Sequence, residues 1–290
     1  MRRLHLVAGL LAITIALMAG FIKNRPVDKS DEPVNPPSNQ LLEMEQPDMV
    51  AANETETETE TESEPPLIGA VMTGQLATVD NLLKSGADVN TRSNDGQTAL
   101  MLAVANGNLA ITEILLVHDA DVKARDNEGD TALIIAAAND NAAIVEMLLS
   151  QESNVNTKNN NGDTALLTAV SSGNLAIVET LLNKRSNLNI KNNSGQTPLL
   201  LAASNDFIGI AEVLLAHAAD INARDNEGNT ALIIAAMNSN TALVETLLAR
   251  GANVNIKNNS GESALTVASN YGDDEETEMV QLLKKAGAKN

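Results

Sequence analysis

The chain has 290 residues and a formal net charge of −19, because 38 acidic side chains outnumber 19 basic ones. This balance argues against nucleic acid as a partner, since a phosphate backbone would be repelled rather than neutralised. The absence of cysteine excludes disulfides, thiolate metal sites and cysteine nucleophiles, and a chain with two Phe, one Tyr and no Trp must build an aliphatic core.

The first predicted element is an apolar segment within residues 1–22, which begins with Arg2 and Arg3. A helix over residues 4–22 would approach the ~30 Å thickness of the hydrocarbon core of a bilayer. Two interpretations remain open, a cleaved signal peptide and an uncleaved signal anchor. Both predict that this segment engages the export machinery or the membrane. The rest of the chain would then lie outside the cytoplasm, either periplasmic or anchored in the inner membrane.

Residues 23–64 form an acidic stretch that is rich in proline and contains an alternating Thr-Glu run. Its few large apolar residues cannot bury enough surface to offset the entropy lost on ordering. Like charges at every second residue of the Thr-Glu run favour an extended chain. We therefore expect a disordered linker over residues 23–64.

Two features recur every 33 residues through the rest of the chain. One is a glycine within a polar turn, found at Gly96, Gly129, Gly162, Gly195, Gly228 and Gly261. The other is a leucine pair, found at Leu82/Leu83, Leu115/Leu116, Leu148/Leu149, Leu181/Leu182, Leu214/Leu215 and Leu247/Leu248. A fixed period in two independent features indicates an array of structural repeats.

Each repeat has a polar turn, a short apolar helix, a second turn and a longer amphipathic helix. The turn glycine permits a positive φ. A residue suited to N-cap the first helix follows it, namely Thr98, Thr131, Thr164, Thr197, Thr230 or Ser263. A single helix pair would leave its apolar faces exposed, so the repeats must stack. This pattern predicts an all-α fold.

The pattern Gly-x-Thr-Pro-Leu…Ala-Ala…Val-x-x-Leu-Leu…Gly-Ala-x-Val-Asn, seen over residues 195–222 and 228–255, resembles the ankyrin repeat. The resemblance covers residues 65–290. It implies an ankyrin-repeat solenoid of about seven helix-turn-helix units with short β-hairpin-like turns. One departure is that Asp140, Asp206 and Ser239 replace the glycine between the two helices. Two outcomes are open there: a non-glycine residue adopts the left-handed region at a cost of roughly 1–2 kcal/mol, or the turn relaxes to another conformation.

The sequence contains no catalytic or cofactor-binding pattern. A glycine-rich phosphate loop, a nucleophile elbow and a His-Glu-x-x-His motif are all absent. His118 and His217 occupy equivalent positions three units apart, too far to share one metal ion. Acidic turns such as residues 126–130 lack the spacing and the final glutamate of a calcium loop. We expect no catalytic residue, no cofactor and no metal, and therefore no enzyme activity.

One cation per unit recurs beside the turns, at Arg92, Arg125, Lys158, Lys191, Arg224 and Lys257. This row could recognise an acidic partner. The alternative is that each cation pairs with a neighbouring turn acid such as Asp126 or Asp225. The second explanation is favoured, because Lys and Arg are common at this position in the repeats that the sequence resembles.

The resemblance also implies that turn tips and the exposed part of the first helices line a concave groove that binds partner proteins. The candidate partner-binding residues are Arg125, Asn127, Glu128, Asp130, Asn160, Asp163, Gln196, Arg224, Asn226, Glu227, Asn229, Met237 and Tyr271. We expect a monomeric, non-catalytic protein–protein interaction scaffold, displayed outside the cytoplasm, with an unidentified protein partner. The alternatives are a stabiliser or inhibitor of a specific envelope enzyme and a secreted effector that acts on a host or competitor protein.

Residues 124–139 and 223–238 are nearly identical and lie three units apart. They differ only at Asp130, which corresponds to Asn229, and at Ala138, which corresponds to Met237. Both differences are expected on the binding face. We therefore expect any binding specificity to depend on differences of this kind.

Overall fold

The computed structural model describes residues 64–151, 153–271 and 278–289. The chain divides into two units at residues 1–58 and 59–290, and every described residue belongs to the second. The predicted export segment at residues 1–22, and all of the predicted linker except Glu64, lie outside the described residues.

The described residues form fourteen α-helices, arranged as seven successive pairs that we number as units 1 to 7. The first helices of the units are α1 (Pro66–Met72), α3 (Ala99–Ala105), α5 (Ala132–Ala138), α7 (Ala165–Ser171), α9 (Pro198–Ser204), α11 (Ala231–Met237) and α13 (Ala264–Tyr271). The second helices are α2 (Leu76–Lys84), α4 (Leu109–Val117), α6 (Ala142–Ser150), α8 (Leu175–Asn183), α10 (Ile208–Ala216), α12 (Thr241–Ala249) and α14 (Glu278–Lys285). The predicted all-α solenoid of seven units is confirmed.

Each first helix from α3 to α11 begins at a threonine cap, as the sequence predicts. In α5, the Thr131 hydroxyl accepts a hydrogen bond from the Ile134 N–H at 3.4 Å. The same bond is made by Thr98, Thr164, Thr197 and Thr230. Pro198 occupies the first position of α9, where a missing N–H leaves no hydrogen bond unmade.

The second helices use asparagine caps that the sequence interpretation did not identify. The side-chain oxygen of Asn141 accepts from the Ile144 N–H at 3.1 Å, and Asn108, Asn174 and Asn240 act in the same way. Phe207 takes this position in unit 5 and makes no side-chain cap. A Cβ built on Gly173 would lie 2.9 Å from the Phe207 ring, so the ring packs directly against this glycine.

One aliphatic core runs through the array. A first helix is buried on most of its surface, as shown by Leu133, Ile134 and Ala136 of α5, which are at most 3% exposed. A second helix buries a single stripe, such as Ile144 and Leu148 of α6. Small residues such as Ala136 let neighbouring helices approach closely, and the stacked units bury the faces that a single unit would leave in water.

The turns between the two helices of a unit adopt the left-handed conformation even without glycine. The φ angles are 56° at Asp140, 57° at Asp206 and 57° at Ser239. These residues therefore adopt the left-handed conformation and do not relax to another one. The carboxylates of Asp140 and Asp206 accept hydrogen bonds from the next unit, including one from Asn240 to Asp206 at 3.1 Å. These bonds offset part of the steric cost of the left-handed backbone.

Candidate protein-binding face

Six polar turns, at residues 92–98, 125–131, 158–164, 191–197, 224–230 and 257–263, lie side by side along the array, and we call them the tip row. In the described residues the only strand-like pairing is one isolated antiparallel bridge, between Arg92 and Thr98. Neighbouring turns pack tightly. A Cβ built on Gly129, whose φ is +77°, would lie 2.6 Å from the Asn160 side-chain oxygen of the next turn. The glycine is therefore required by its conformation and by its neighbour.

The recurring cations bind backbone carbonyls and not turn carboxylates. Arg125 donates through Nε to the Gly129 carbonyl at 3.1 Å and through Nη2 to the Lys158 carbonyl at 2.7 Å. The series continues with bonds from Arg92 to Arg125, Lys158 to Lys191, Lys191 to Arg224 and Arg224 to Lys257. The only ion pair among the described residues joins Lys84 to Asp80. The predicted pairing with Asp126 and Asp225 is therefore wrong, because the next turn offers a carbonyl within reach of five of the six cations.

Asparagines form a second ladder along the tip row. The Asn160 side-chain amide donates to the Asn127 carbonyl at 2.9 Å, and Asn193 donates to Asn160 at 2.9 Å. Equivalent bonds of 2.9 Å run from Asn127 to Asp95, Asn226 to Asn193 and Asn259 to Asn226. Each rung joins one unit to the next. The sequence signal was present but overlooked, since asparagine recurs every 33 residues at these positions.

These two ladders occupy five of the predicted partner-binding residues. The side-chain N–H groups of Asn127, Asn160 and Asn226 bind the preceding turn, and those of Arg125 and Arg224 bind the following turn. All five side chains are nevertheless exposed at the surface. Their first role is to join units, and a partner would have to compete with intramolecular acceptors for their donors.

Asp130 and Asp163 are half-buried between adjacent turns. Each accepts a hydrogen bond from the next turn, from Asn159 at 2.8 Å and from Asn192 at 3.1 Å, respectively. Burial raises the pKa of both carboxyls, and these hydrogen bonds lower it by a smaller amount. The charges of Asp126, Glu128 and Asp163 raise the pKa of Asp130 further. Both groups therefore carry a desolvation cost when ionised.

Asn229 is 4% exposed, so the expectation that it faces a partner is corrected. Its side-chain oxygen accepts from Asn258 at 3.0 Å, and its side-chain amide donates to Asp225 and Glu227. A neutral amide can be buried here because it finds partners for both its oxygen and its nitrogen. The charged Asp130 at the equivalent position stays half-buried.

The remaining predicted residues differ in accessibility. Glu128 and Glu227 are exposed at the turn tips, and Met237 is 37% exposed at the end of α11. Gln196 is half-buried and accepts a bond from Asn192 at 3.3 Å. Tyr271 is the last residue of α13, and its side chain lies outside the described set. Among these remaining predicted residues, the exposed charged groups are the carboxylates of Glu128 and Glu227.

Asp95 is a further exposed acid of the tip row that the sequence interpretation did not include. It lies one unit before Glu128 at the same turn position, so the 33-residue period could have identified it. Within the described residues, no group of three or more acidic or histidine side chains is placed to hold a metal ion. None of the helices described has the length and apolar composition of a membrane span.

Comparisons with known proteins agree with this architecture. A family model described as ankyrin repeats (3 copies) matches residues 67–159, 151–225 and 220–290. The crystal structure of the ankyrin repeat domain of Bcl-3, a unique member of the IkappaB protein family, is 27% identical, with a TM-score of 0.68 over 76% of this chain and 98% of that one. The human ASB11 ankyrin repeat domain is 26% identical, with a TM-score of 0.67 over 78% and 99%. No curated protein sequence matches the chain. This chain belongs to the ankyrin repeat family.

Proposed function

We propose that this chain is a non-catalytic scaffold that binds a lysine- or arginine-rich segment of a partner protein through its tip row, outside the cytoplasm. Ankyrin repeats indicate a protein–protein interaction scaffold. The chemistry of the partner is inferred from the hydrogen-bonding groups that the tip row leaves available. The location is inferred from the apolar segment within residues 1–22.

The observation that carries the proposal is that N–H donors of the tip row bind carbonyls of neighbouring turns. The cation ladder directs its N–H groups to carbonyls of the following turn, and the asparagine ladder directs its amides to carbonyls of the preceding turn. Several backbone N–H groups at the tips are also occupied, as in the bond from the Asn160 N–H to the Glu128 carbonyl at 3.0 Å. Each of these ladder side chains therefore uses at least one N–H group inside the array.

Acceptors remain at the surface. Asp95, Glu128 and Glu227 carry exposed carboxylates at the same position of three turns. A partner that supplies lysine or arginine would form charge-assisted hydrogen bonds with these carboxylates, and such bonds are stronger than those between neutral groups. The net charge of −19 would also speed encounter with a cationic partner.

Affinity capture from intact cells with the full chain as bait tests the proposal. The test variant carries Asp95→Asn, Glu128→Gln and Glu227→Gln. The matched control carries Glu113→Gln, Glu146→Gln and Glu179→Gln, which change the same amount of charge at exposed positions of α4, α6 and α8. We expect a protein with a basic segment to be captured by the native chain and the control but not by the test variant.

Equal loss of capture in both variants would show that only overall charge matters, and undiminished capture by the test variant would exclude the tip row as the binding face. If the captured partner is an enzyme, its activity with and without the chain will show whether the scaffold stabilises or inhibits it.

The proposed location has a separate test. Protease added to intact cells, and to cells with an opened outer layer, should cut the repeat domain without lysis of the cytoplasmic membrane. N-terminal sequencing of the mature protein then distinguishes a cleaved signal peptide from a retained anchor, since only cleavage removes Arg2 and Arg3. A chain that is protected until the cytoplasm is released would contradict export.

A further inference from the structure

The two halves of the tip row differ in charge. The three turns that begin units 2 to 4 contain five acids and three cations, a net charge of −2. The three turns that begin units 5 to 7 contain three acids and three cations, a net charge of zero. We call the first set the acidic half and the second set the neutral half. A cationic segment is therefore attracted to the acidic half.

The cations of the acidic half are held between successive turns. Arg92 donates to the Arg125 carbonyl at 2.8 Å, and Arg125 donates to the Lys158 carbonyl at 2.7 Å. Lys158 donates in the same way to the Lys191 carbonyl at 2.7 Å. These bonds go to neutral acceptors, so they leave the exposed carboxylates of the acidic half without a cation bonded to them.

Negative charge converges on the turn at residues 125–131. Burial raises the pKa of Asp130, and the like charges of Asp126, Glu128 and Asp163 raise it further. These three carboxylates therefore lie close enough to Asp130 for mutual repulsion. A cation beside the exposed Glu128 would be attracted by Asp130 as well, because the Coulomb energies of neighbouring charges add.

The turn at residues 224–230 has the same sequence except at Asn229, and it provides an internal comparison. The Asn229 side-chain amide donates to Asp225 at 3.3 Å and to Glu227 at 3.2 Å. Asp130 has no amide N–H and makes neither bond. The turn with Asn229 thus has one charge fewer, and one carboxylate oxygen of Glu227 is already bonded inside it.

We propose that the basic segment of the partner binds across the acidic half with an arginine on Glu128, and that Asp130 and Asn229 set this preference over Glu227. The inference rests on the proposed function and narrows it. A guanidinium donates two parallel hydrogen bonds to a carboxylate, which favours the glutamate with no oxygen bonded by its own turn.

The stacking of the turns also predicts the spacing of basic residues in the partner. Packed helices of neighbouring units lie roughly 8–10 Å apart, and an extended chain advances about 3.3 Å per residue. Side chains three positions apart in an extended segment therefore reach successive turns, such as those that carry Asp95 and Glu128.

Calorimetric titration of the full chain with synthetic peptides tests the proposal. One peptide carries three arginines at every third position in a glycine–serine background, and the reference peptide carries glutamine in their place. Glu128→Gln and Glu227→Gln are a matched pair, because each removes one exposed carboxylate from the same place in nearly identical turns. We expect Glu128→Gln to weaken binding of the arginine peptide roughly fivefold more than Glu227→Gln does.

Exchange of the distinguishing residues completes the experiment. Asp130→Asn gives unit 3 the turn sequence of unit 6 and should weaken binding of the arginine peptide. Asn229→Asp makes the opposite change and should strengthen binding. Because Asn229 is buried, circular dichroism must first show that this second variant is folded, and Asp130→Asn decides the matter if it is not.

The outcomes separate this inference from the proposed function. Equal binding of the arginine and glutamine peptides, or no binding of either, would overturn both. Selective binding of the arginine peptide that Glu128→Gln and Glu227→Gln weaken equally, or that Asp130→Asn leaves unchanged, would overturn only the preference for the acidic half.

Discussion

Asp130 and Asn229 occupy the same position in two nearly identical units and show what a charge changes there. Both oxygens accept a hydrogen bond from the next turn, at 2.8 Å from Asn159 and at 3.0 Å from Asn258. Only Asp130 carries a charge that burial disfavours, and burial raises its pKa. The chain thus contains its own comparison between an acid and an amide at this site.

Asp130→Asn should stabilise the chain at neutral pH. Because the pKa of Asp130 is raised in the folded state, the folded chain holds its proton more tightly than the unfolded chain. The stability that this proton contributes is present at low pH and lost as the pH rises through the raised pKa. Urea unfolding across pH 3 to 7 should therefore show a gain for the variant that is largest at pH 7 and shrinks as the pH falls.

Asp95→Asn is the control for this experiment, since its exposed side chain carries no burial cost. It should change the free energy of unfolding little at any pH. A loss of stability in Asp130→Asn at pH 7 would show that the charged form is the better acceptor for Asn159 and would contradict the role given to burial.

Ser186 has a buried hydroxyl without a hydrogen-bond partner, in a residue that is only 5% exposed. Ser186→Ala should therefore raise the free energy of unfolding by about 1 kcal/mol, because it removes a desolvated polar group. Ser153 occupies the equivalent place in unit 3, but its hydroxyl donates to the Leu148 carbonyl at 2.7 Å. Ser153→Ala should lower stability, and chemical denaturation of both variants checks the opposite signs. Two changes of the same sign would contradict the assignment.

The asparagine side chain of each turn joins that turn to the preceding one. Asn160→Ala removes the bond to the Asn127 carbonyl and should lower the free energy of unfolding by about 1 kcal/mol. Asn161→Ala, at the next position, removes an exposed side chain that makes no bond between units. It should change stability by much less. Equal effects in thermal or urea unfolding would show that the asparagine ladder contributes nothing.

At this scale the sequence was informative about local structure. The positions of Thr131 and Pro198 predicted where first helices begin, and the turn glycines predicted where the chain reverses, because both depend on a residue and its near neighbours. Asp140 showed that the left-handed turn persists without glycine, since the stacked units determine the backbone there. The fold was therefore predictable from the period and the caps.

The hydrogen bonds between units were not predicted from the sequence. Arg125 binds a carbonyl of the next turn and not the carboxylate of Asp126, its neighbour in sequence, because the stacking of the turns decides which acceptor is reached. Asn229 was predicted to lie at the surface, but it is buried because the next turn covers it. These errors share one cause, which is that burial and pairing in a repeat array depend on the neighbouring unit.

In the whole molecule, two groups of polar residues in the tip row have different roles. Arginine, lysine and asparagine side chains join successive units through ladders of hydrogen bonds. Exposed acids, represented by Asp95, Glu128 and Glu227, remain available to a partner. This division is the central claim of our account, because it separates residues that stabilise the array from residues that we propose bind.

Calorimetric titration of the captured partner tests that claim most directly. We compare the native chain, the Asp95→Asn/Glu128→Gln/Glu227→Gln variant and Asn160→Ala, at a temperature where all three are folded. The account predicts a Kd at least about tenfold weaker for the acid variant, which is a loss of about 1.4 kcal/mol, and a nearly native Kd for Asn160→Ala despite its lower stability. A native Kd in the acid variant, or an equal loss in folded Asn160→Ala, would contradict it.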